Sequence, residues 1–318
     1  MTSILEIKNF SKTFRTPFRR AKVHAVIDVS FSIEEGNIVG LVGANGAGKT
    51  TTMKAITGLI QPTKGSLSMF GLSAKDPEAR KKLGYLPEGP YFYEHLKPKE
   101  LLLFYGKLFN IKKEVLDERA NALITRVGLD HARDRKIRKF SKGMRQRIGI
   151  AQALINDPDF VILDEPQTGL DPIGRKEVRD LIVELADQGK TILFSSHILP
   201  DVEAICDQVV VMDRGRLIAN GPLSKLGSSI DDDIEIIVSG LPTDYTHQDL
   251  REKQIRAETT ILRFLGTAEV NDLVVNLIKS GAQLQNLSRH GYGLESLVLK
   301  TYDNSDDQRR SETSEEEE

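Results

Sequence analysis

Residues 38–52 read IVGLVGANGAGKTTT. The apolar run Ile38–Val42 predicts a buried strand. A glycine-rich turn, Gly43-Ala-Asn-Gly-Ala-Gly48, leads from it into Lys49, Thr50 and Thr51 at the start of a helix. Strand, G-x-x-x-x-G-K-T and helix, in that order, make the loop that cradles phosphate. Gly43, Gly46 and Gly48 let the backbone wrap an anion with no Cβ in the way. The helix beginning near Lys49 turns its free N–H groups and the positive end of its dipole toward the same place. Lys49 is expected to reach the β- and γ-phosphates, and Thr50 to offer its hydroxyl to Mg²⁺. Asn45 and Thr51 belong to the same nucleotide-binding run. The motif defines a nucleoside triphosphate site, not the machine that uses it.

Residues 160–165 read FVILDE. Four apolar residues followed by two acids describe a buried parallel strand with carboxylates at its C-terminal end, where doubly wound sheets hold their chemistry. Asp164 is expected to hold Mg²⁺ through water. Glu165 would orient and deprotonate a water attacking the γ-phosphate. Pro166 is expected to end the strand, and Asp171-Pro172 to start the next helix. The strand Thr191–Ser196 is followed by His197, which has two readings: a γ-phosphate sensor or an ordinary surface or capping histidine. A fourth apolar strand, Val209–Met212, leads to a turn at Asp213–Gly215. Strand and helix alternate, which predicts a mostly parallel α/β sheet.

The 318 residues suffice for one large domain and a small one. A composition of 39% apolar and 28% charged residues fits a soluble globular protein, and a formal net charge of -2 argues against a general nucleic-acid binder. No apolar run approaches the roughly 18 residues of a membrane span, and the start MTSILEIKNF does not read as a signal peptide. The expectation is a cytosolic chain; any membrane crossing falls to another chain. The one cysteine, Cys206, cannot form an internal disulfide. Residues 303–318, DNSDDQRRSETSEEEE, carry eight acids against two arginines and are expected to be disordered, as a solubilising tail or a partner-binding one.

Over residues 4–221 the chain closely resembles the nucleotide-binding subunits of ABC transporters. In that family a second motif, usually LSGGQ, completes the ATP site of a partner subunit. The matching stretch is Phe140–Arg147, FSKGMRQR. Ser141 and Gly143 match, while Lys142 and Met144 replace Gly and Gln. Ser141 also reads as a helix N-cap, Gly143 leaves the backbone open, and Ile148, Ala151 and Ile155 supply an apolar face. The resemblance implies a dimer with two ATPs at its interface, closed by ATP binding and opened by hydrolysis. Tyr85-Leu-Pro-Glu88 occupies the segment that usually carries a glutamine sensing Mg²⁺ and the membrane partner, so Glu88 is expected at the metal or its water. Phe14, in SKTF, sits where an aromatic ring usually stacks on adenine. Phe18, in the insertion RTPFRRAK, is its rival, and core packing is the other reading for either ring. Gly169-Leu-Asp171 resembles the loop that links the two sites, with Thr168 keeping the hydroxyl of the usual serine.

The expected architecture is therefore α/β: a P-loop NTPase sheet with an ABC-type antiparallel N-terminal β-subdomain and a helical arm, plus a small C-terminal α+β domain. The expected boundaries are 1–225 for the ATP-binding domain, with the arm at about 89–155, then 226–302, then the tail. LKPKELLLFYGKLF and VLDERANALITRVGL are amphipathic, with a break near Asn110. Tyr91, Phe92 and Tyr93 read equally as part of a groove for a permease helix or as core. In the C-terminal part, IEIIV at 234–238 and ILRFL at 261–265 read as strands. Val270 to Ile278 reads as a helix leading to 283–287, and Tyr292–Lys300 as a last helix. That helix resembles the S-L-E-x-x-F-L ending of exporter ATPases whose permease is a separate six-helix chain, with Val298 replacing the phenylalanine. Dimerisation or regulation is the expected role there, with small-ligand binding as the alternative. The resemblance implies an exporter ATPase using ATP and Mg²⁺, paired with a transmembrane permease and a second nucleotide-binding subunit, expected to be another copy of this chain in a homodimer, peripheral on the cytoplasmic face. The alternative is a soluble ABC ATPase acting on ribosomes or DNA, but such chains usually carry two ATPase halves or a long coiled-coil insertion. A non-hydrolysing scaffold is opposed by intact Lys49, Asp164, Glu165 and His197.

Overall fold

In the computed structural model, residues 3–15, 22–228, 233–256, 259–265 and 268–290 are described. The chain divides into two units between Gly221 and Pro222. The first unit holds β1 (Ser3–Arg15), β2 (Lys22–Glu34), β3 (Ile38–Val42), α1 (Lys49–Ile56), β4 (Lys64–Met69), β5 (Leu72–Ser73), α2 (Pro77–Lys81) and β6 (Leu83–Leu86). There follow α3 (Pro98–Lys107), α4 (Lys113–Arg126), α5 (Lys142–Ala153), β7 (Phe160–Leu163), α6 (Pro172–Asp187), β8 (Thr191–Ser196), α7 (Leu199–Ile205), β9 (Gln208–Asp213) and β10 (Arg216–Pro222). The second unit holds α8 (Leu223–Ser228), β11 (Asp233–Ser239), β12 (Leu250–Arg256), β13 (Thr259–Leu265), α9 (Val270–Lys279) and β14 (Gln283–His290).

Two sheets make the first unit. One is antiparallel, in the order β2-β1-β4-β5. In β2, Val29, Phe31 and Ile33 are buried and alternate with exposed residues, the pattern of a sheet with one dry face. The other sheet runs β10-β9-β3-β8-β7-β6. Its pairs from β9 to β6 are parallel, and β3, β7 and β8 are buried along their whole length. Such strands lie covered on both faces, which is why they read as unbroken apolar runs. The order puts β8 between the strand that enters the glycine-rich loop and the strand that leads to Asp164. Val42 pairs with Ser196, and Leu163 with Phe194, so the three C-terminal ends finish side by side. Phe10, Val29, Leu41, Met53, Phe160 and Leu193 belong to one core that joins the two sheets.

The arm is helical as expected. Pro98 opens α3, and the Glu100 carboxylate accepts the Lys97 N–H at 2.8 Å. The break at Asn110 is a residue in the left-handed region, φ 56°, which asparagine tolerates better than most. α3 and α4 meet at Gly106, where a Cβ would lie 2.1 Å from Leu116 Cδ1. Of the three aromatic residues before the arm, Tyr91 is 97% exposed and so is no core residue, Phe92 is half-buried, and Tyr93 packs edge-on against Phe104.

The second unit is an antiparallel sheet, β12-β13-β11-β14, with α9. Ile234, Ile236, Val238, Leu262, Phe264, Leu273 and Leu277 form its core. β11, β13, α9 and β14 fall where the sequence predicts them, and β12 is an addition to that pattern. That strand, LREKQIR, lies at the sheet edge and is mostly exposed, so it carries charge instead of an apolar alternation. Phe18, the Tyr292–Lys300 helix and the acidic tail lie outside the described residues. Among the described residues, no helix is long and apolar enough to cross a membrane.

Candidate functional site

The glycine-rich loop delivers α1 with an open N-terminus. Gly48 is its N-cap, with φ 102° and no side-chain cap. Only glycine fits: a Cβ there would lie 2.7 Å from the Ala25 carbonyl oxygen, and the backbone angle disfavours any L side chain. Lys49 is buried. Its ammonium donates to the carbonyl oxygens of Gly43 at 2.6 Å and Ala44 at 3.2 Å, and stands 3.7 Å from Glu165 Oε1.

Strand β7 stops at Leu163, three residues short of Pro166, where the sequence reading placed its end. The reversal comes at Glu165, which holds φ 51° in the left-handed region. Asp164 is fully buried. Its Oδ1 accepts from Ser195 Oγ at 2.8 Å and from Thr50 Oγ1 at 3.3 Å, while its Oδ2 is buried with no hydrogen-bond partner. The Glu165 carboxylate lies between two nitrogens, with Oε2 2.9 Å from His197 Nδ1 and Oε1 on the Lys49 side. His197 itself is exposed. Nearby, burial and the Asp164 charge push the Tyr85 phenol well above its usual range, so it stays neutral.

These groups open onto a cleft of about 380 Å³, lined by Asn45, Gly46, Gly48, Lys49, Thr50 and Thr51 together with Ala25, Glu88 and Glu165. The structure thus brings Glu88 to the loop. Phe14 is not among the lining residues. It pairs with Val23 on β2, is 41% exposed, and has the Lys12 ammonium 5.0 Å from its ring centroid. Ser141 and Gly143 line a different cavity, of about 680 Å³, with Lys142, Gly169, Leu170 and Asp171. There Ser141 caps α5, accepting the Met144 N–H at 3.2 Å, and Asp171 caps α6, accepting from Gly174 N–H at 2.9 Å.

The donor set fits Mg²⁺. An unpartnered buried carboxylate oxygen beside a threonine hydroxyl offers hard oxygen ligands, and Mg²⁺ is usually held by one or two such groups plus phosphates and water. Nothing in the sequence singles out Ser195, which looks like any small residue ending a core strand.

Sheet order, loop and converging carboxylates define a P-loop nucleotide-binding protein of the α/β class. Comparison with known proteins is more specific, and the chain belongs to the ABC transporter ATP-binding family, whose model, described as ABC transporter, matches residues 26–168. An uncharacterized ABC transporter ATP-binding protein of Synechocystis sp. is 43% identical over 241 residues, covering 75% of this chain and 68% of that protein. The Nod factor export ATP-binding protein I of Cupriavidus metallidurans is 36% identical, covering 74% of this chain and 76% of that protein. A solved structure of the ATP-binding subunit of an ABC transporter matches with a TM-score of 0.63 at 32% identity, over 71% of this chain and 92% of that one. Membership in this family implies ATP binding and hydrolysis.

Proposed function

We propose that the chain hydrolyses ATP to ADP and phosphate in the Lys49–Glu165 cleft and so drives a separate transmembrane permease, on the export side. One observation carries the catalytic part: the Glu165 carboxylate sits at the mouth of the phosphate loop, between Lys49 and His197. Lys49 would reach the β- and γ-phosphates, whose charge it balances. Glu165 takes the proton of the attacking water, and His197 steadies that carboxylate and faces the γ-phosphate. Mg²⁺, when bound through Thr50 and Asp164 with Glu88 near its water, supplies charge neutralisation at the phosphates. Phe14 is assigned the adenine: it is exposed, and its partner Val23 lies two residues from Ala25 at the cleft.

Ser141 and Gly143 lie away from this cleft, which supports their serving the ATP of a second nucleotide-binding subunit. The export reading is supported by the relative whose name gives it Nod factor export. A place on the cytoplasmic face, held there by the permease, follows from the same reading. The C-terminal unit is assigned to dimerisation or regulation.

The test is a Glu165→Gln variant held in ATP and recovered from detergent-solubilised native membranes. The expected result is an ATP-bound dimer that brings down a polytopic membrane protein. Recovery of ribosomal or DNA-associated material alone would sink the transport reading and leave the ATPase reading standing.

A further inference from the structure

Glu165 is asked to hold a conformation its chemistry disfavours. A non-glycine residue in the left-handed region costs energy and persists only when its surroundings impose it. The imposing groups grip its backbone from both sides. On one side, its N–H donates to Ser195 Oγ at 2.8 Å. On the other, its carbonyl oxygen accepts from Gln146 Nε2 at 3.3 Å. Both side chains are buried, so water offers little competition for either bond. Ser195 does more than accept. Its own hydroxyl proton goes to Asp164 Oδ1 at 2.8 Å, in a fully buried hydrogen bond. One hydroxyl therefore ties the Asp164 carboxylate to the peptide N–H of Glu165. Sheet order makes this possible, because β8, which carries Ser195, runs between β3 and β7.

We propose that Ser195 is a positioning residue for ATP hydrolysis, which with Gln146 clamps the Glu165 peptide in the turn that aims its carboxylate between Lys49 and His197. The donor chain Glu165 N–H to Ser195 Oγ–H to Asp164 polarises along its length, so the charge on Asp164 tightens the grip on Glu165. The clamp touches no phosphate. Its loss should move the general base and leave nucleotide binding to the loop intact. This inference rests on the ATPase reading above.

The experiment compares Ser195→Ala, Ser195→Thr and Glu165→Gln with the wild type, measuring phosphate release and the affinity for a fluorescent ATP analogue. Small misplacements of catalytic geometry can cost on the order of 100-fold. Ser195→Ala is therefore expected to lower kcat by about 10- to 100-fold while KM and analogue affinity stay within about twofold. Ser195→Thr, which keeps a hydroxyl, should restore most of the turnover. In the Glu165→Gln background, Ser195→Ala should bring a loss well below its effect in the wild type, because most of what the hydroxyl positions is the general base. An unchanged kcat in Ser195→Ala would overturn the proposal. So would a parallel loss of analogue affinity, or an additive loss in the double variant. Absence of turnover in the wild type would instead overturn the ATPase reading, and this inference with it.

Discussion

Two helices of the first unit, α1 and α5, begin on small residues beside a glycine, and they are finished in different ways. At α1 the cap is Gly48 in the left-handed region, and no side chain covers the first N–H groups. At α5 the cap is Ser141, whose hydroxyl oxygen already accepts the Met144 N–H. The first terminus keeps its donors for a ligand, with a buried lysine beside them. At the second, the Met144 N–H is taken by the Ser141 oxygen, and the hydroxyl proton of Ser141 can still donate outward. They also open onto separate cavities. A helix N-terminus attracts anions in general, and these two differ in how much of the first turn is already taken by a side chain.

The contrast breaks most sharply at Lys49. Lys49→Ala should lower ATP turnover by about 10²–10³-fold, the usual effect of removing one preorganised charge-stabilising donor. Monomer nucleotide affinity should fall with it, as read by phosphate release and a fluorescent analogue. A variant that still binds and turns over ATP would mean that α1 is not the phosphate terminus. Gly48→Ala tests the open cap itself. The left-handed backbone and the close Ala25 carbonyl predict a loss of about 1–3 kcal/mol in stability, read by chemical denaturation. A stable Gly48→Ala would show that the cap conformation is not required.

Ser141→Ala sharpens the other side. Loss of the cap should destabilise the chain by about 1 kcal/mol. ATP affinity in dilute monomer should not change, while turnover at concentrations that support a dimer should fall about tenfold. Equal losses in both assays would mean that the two termini serve one site. The smallest effect is expected at Glu88, which lines the α1 cavity only. Glu88→Gln removes one negative charge near the phosphates and should shift the half-saturating Mg²⁺ concentration by about two- to fivefold.

The parts legible in the sequence are those whose signal is local. IVGLV, FVILDE and TILFSS announce buried strands because parallel strands covered on both faces are apolar throughout. The glycines and Lys49 announce the loop because the chemistry demands those residues at that spacing. Asn110 and Ser141 mark a helix break and a helix start by their own conformational habits. The missed parts depend on distant neighbours. Ser195 is unremarked until sheet order sets it between two other strands. The end of β7 at Leu163 follows from a turn at Glu165 that no propensity suggests. Strand β12 pairs through its backbone at an edge, so its charged side chains hide it. The distance of Phe14 from the cleft lining is likewise set by the register of β1 on β2.

The carbonyl bonds of Lys49 bear on how the loop is held. With its ammonium on the Gly43 and Ala44 carbonyls, the glycine-rich segment is wound by bonds within its own chain. A loop wound by its own chain meets its ordering entropy during folding, and nucleotide association is then expected to be limited by diffusion and ion dehydration more than by loop closure.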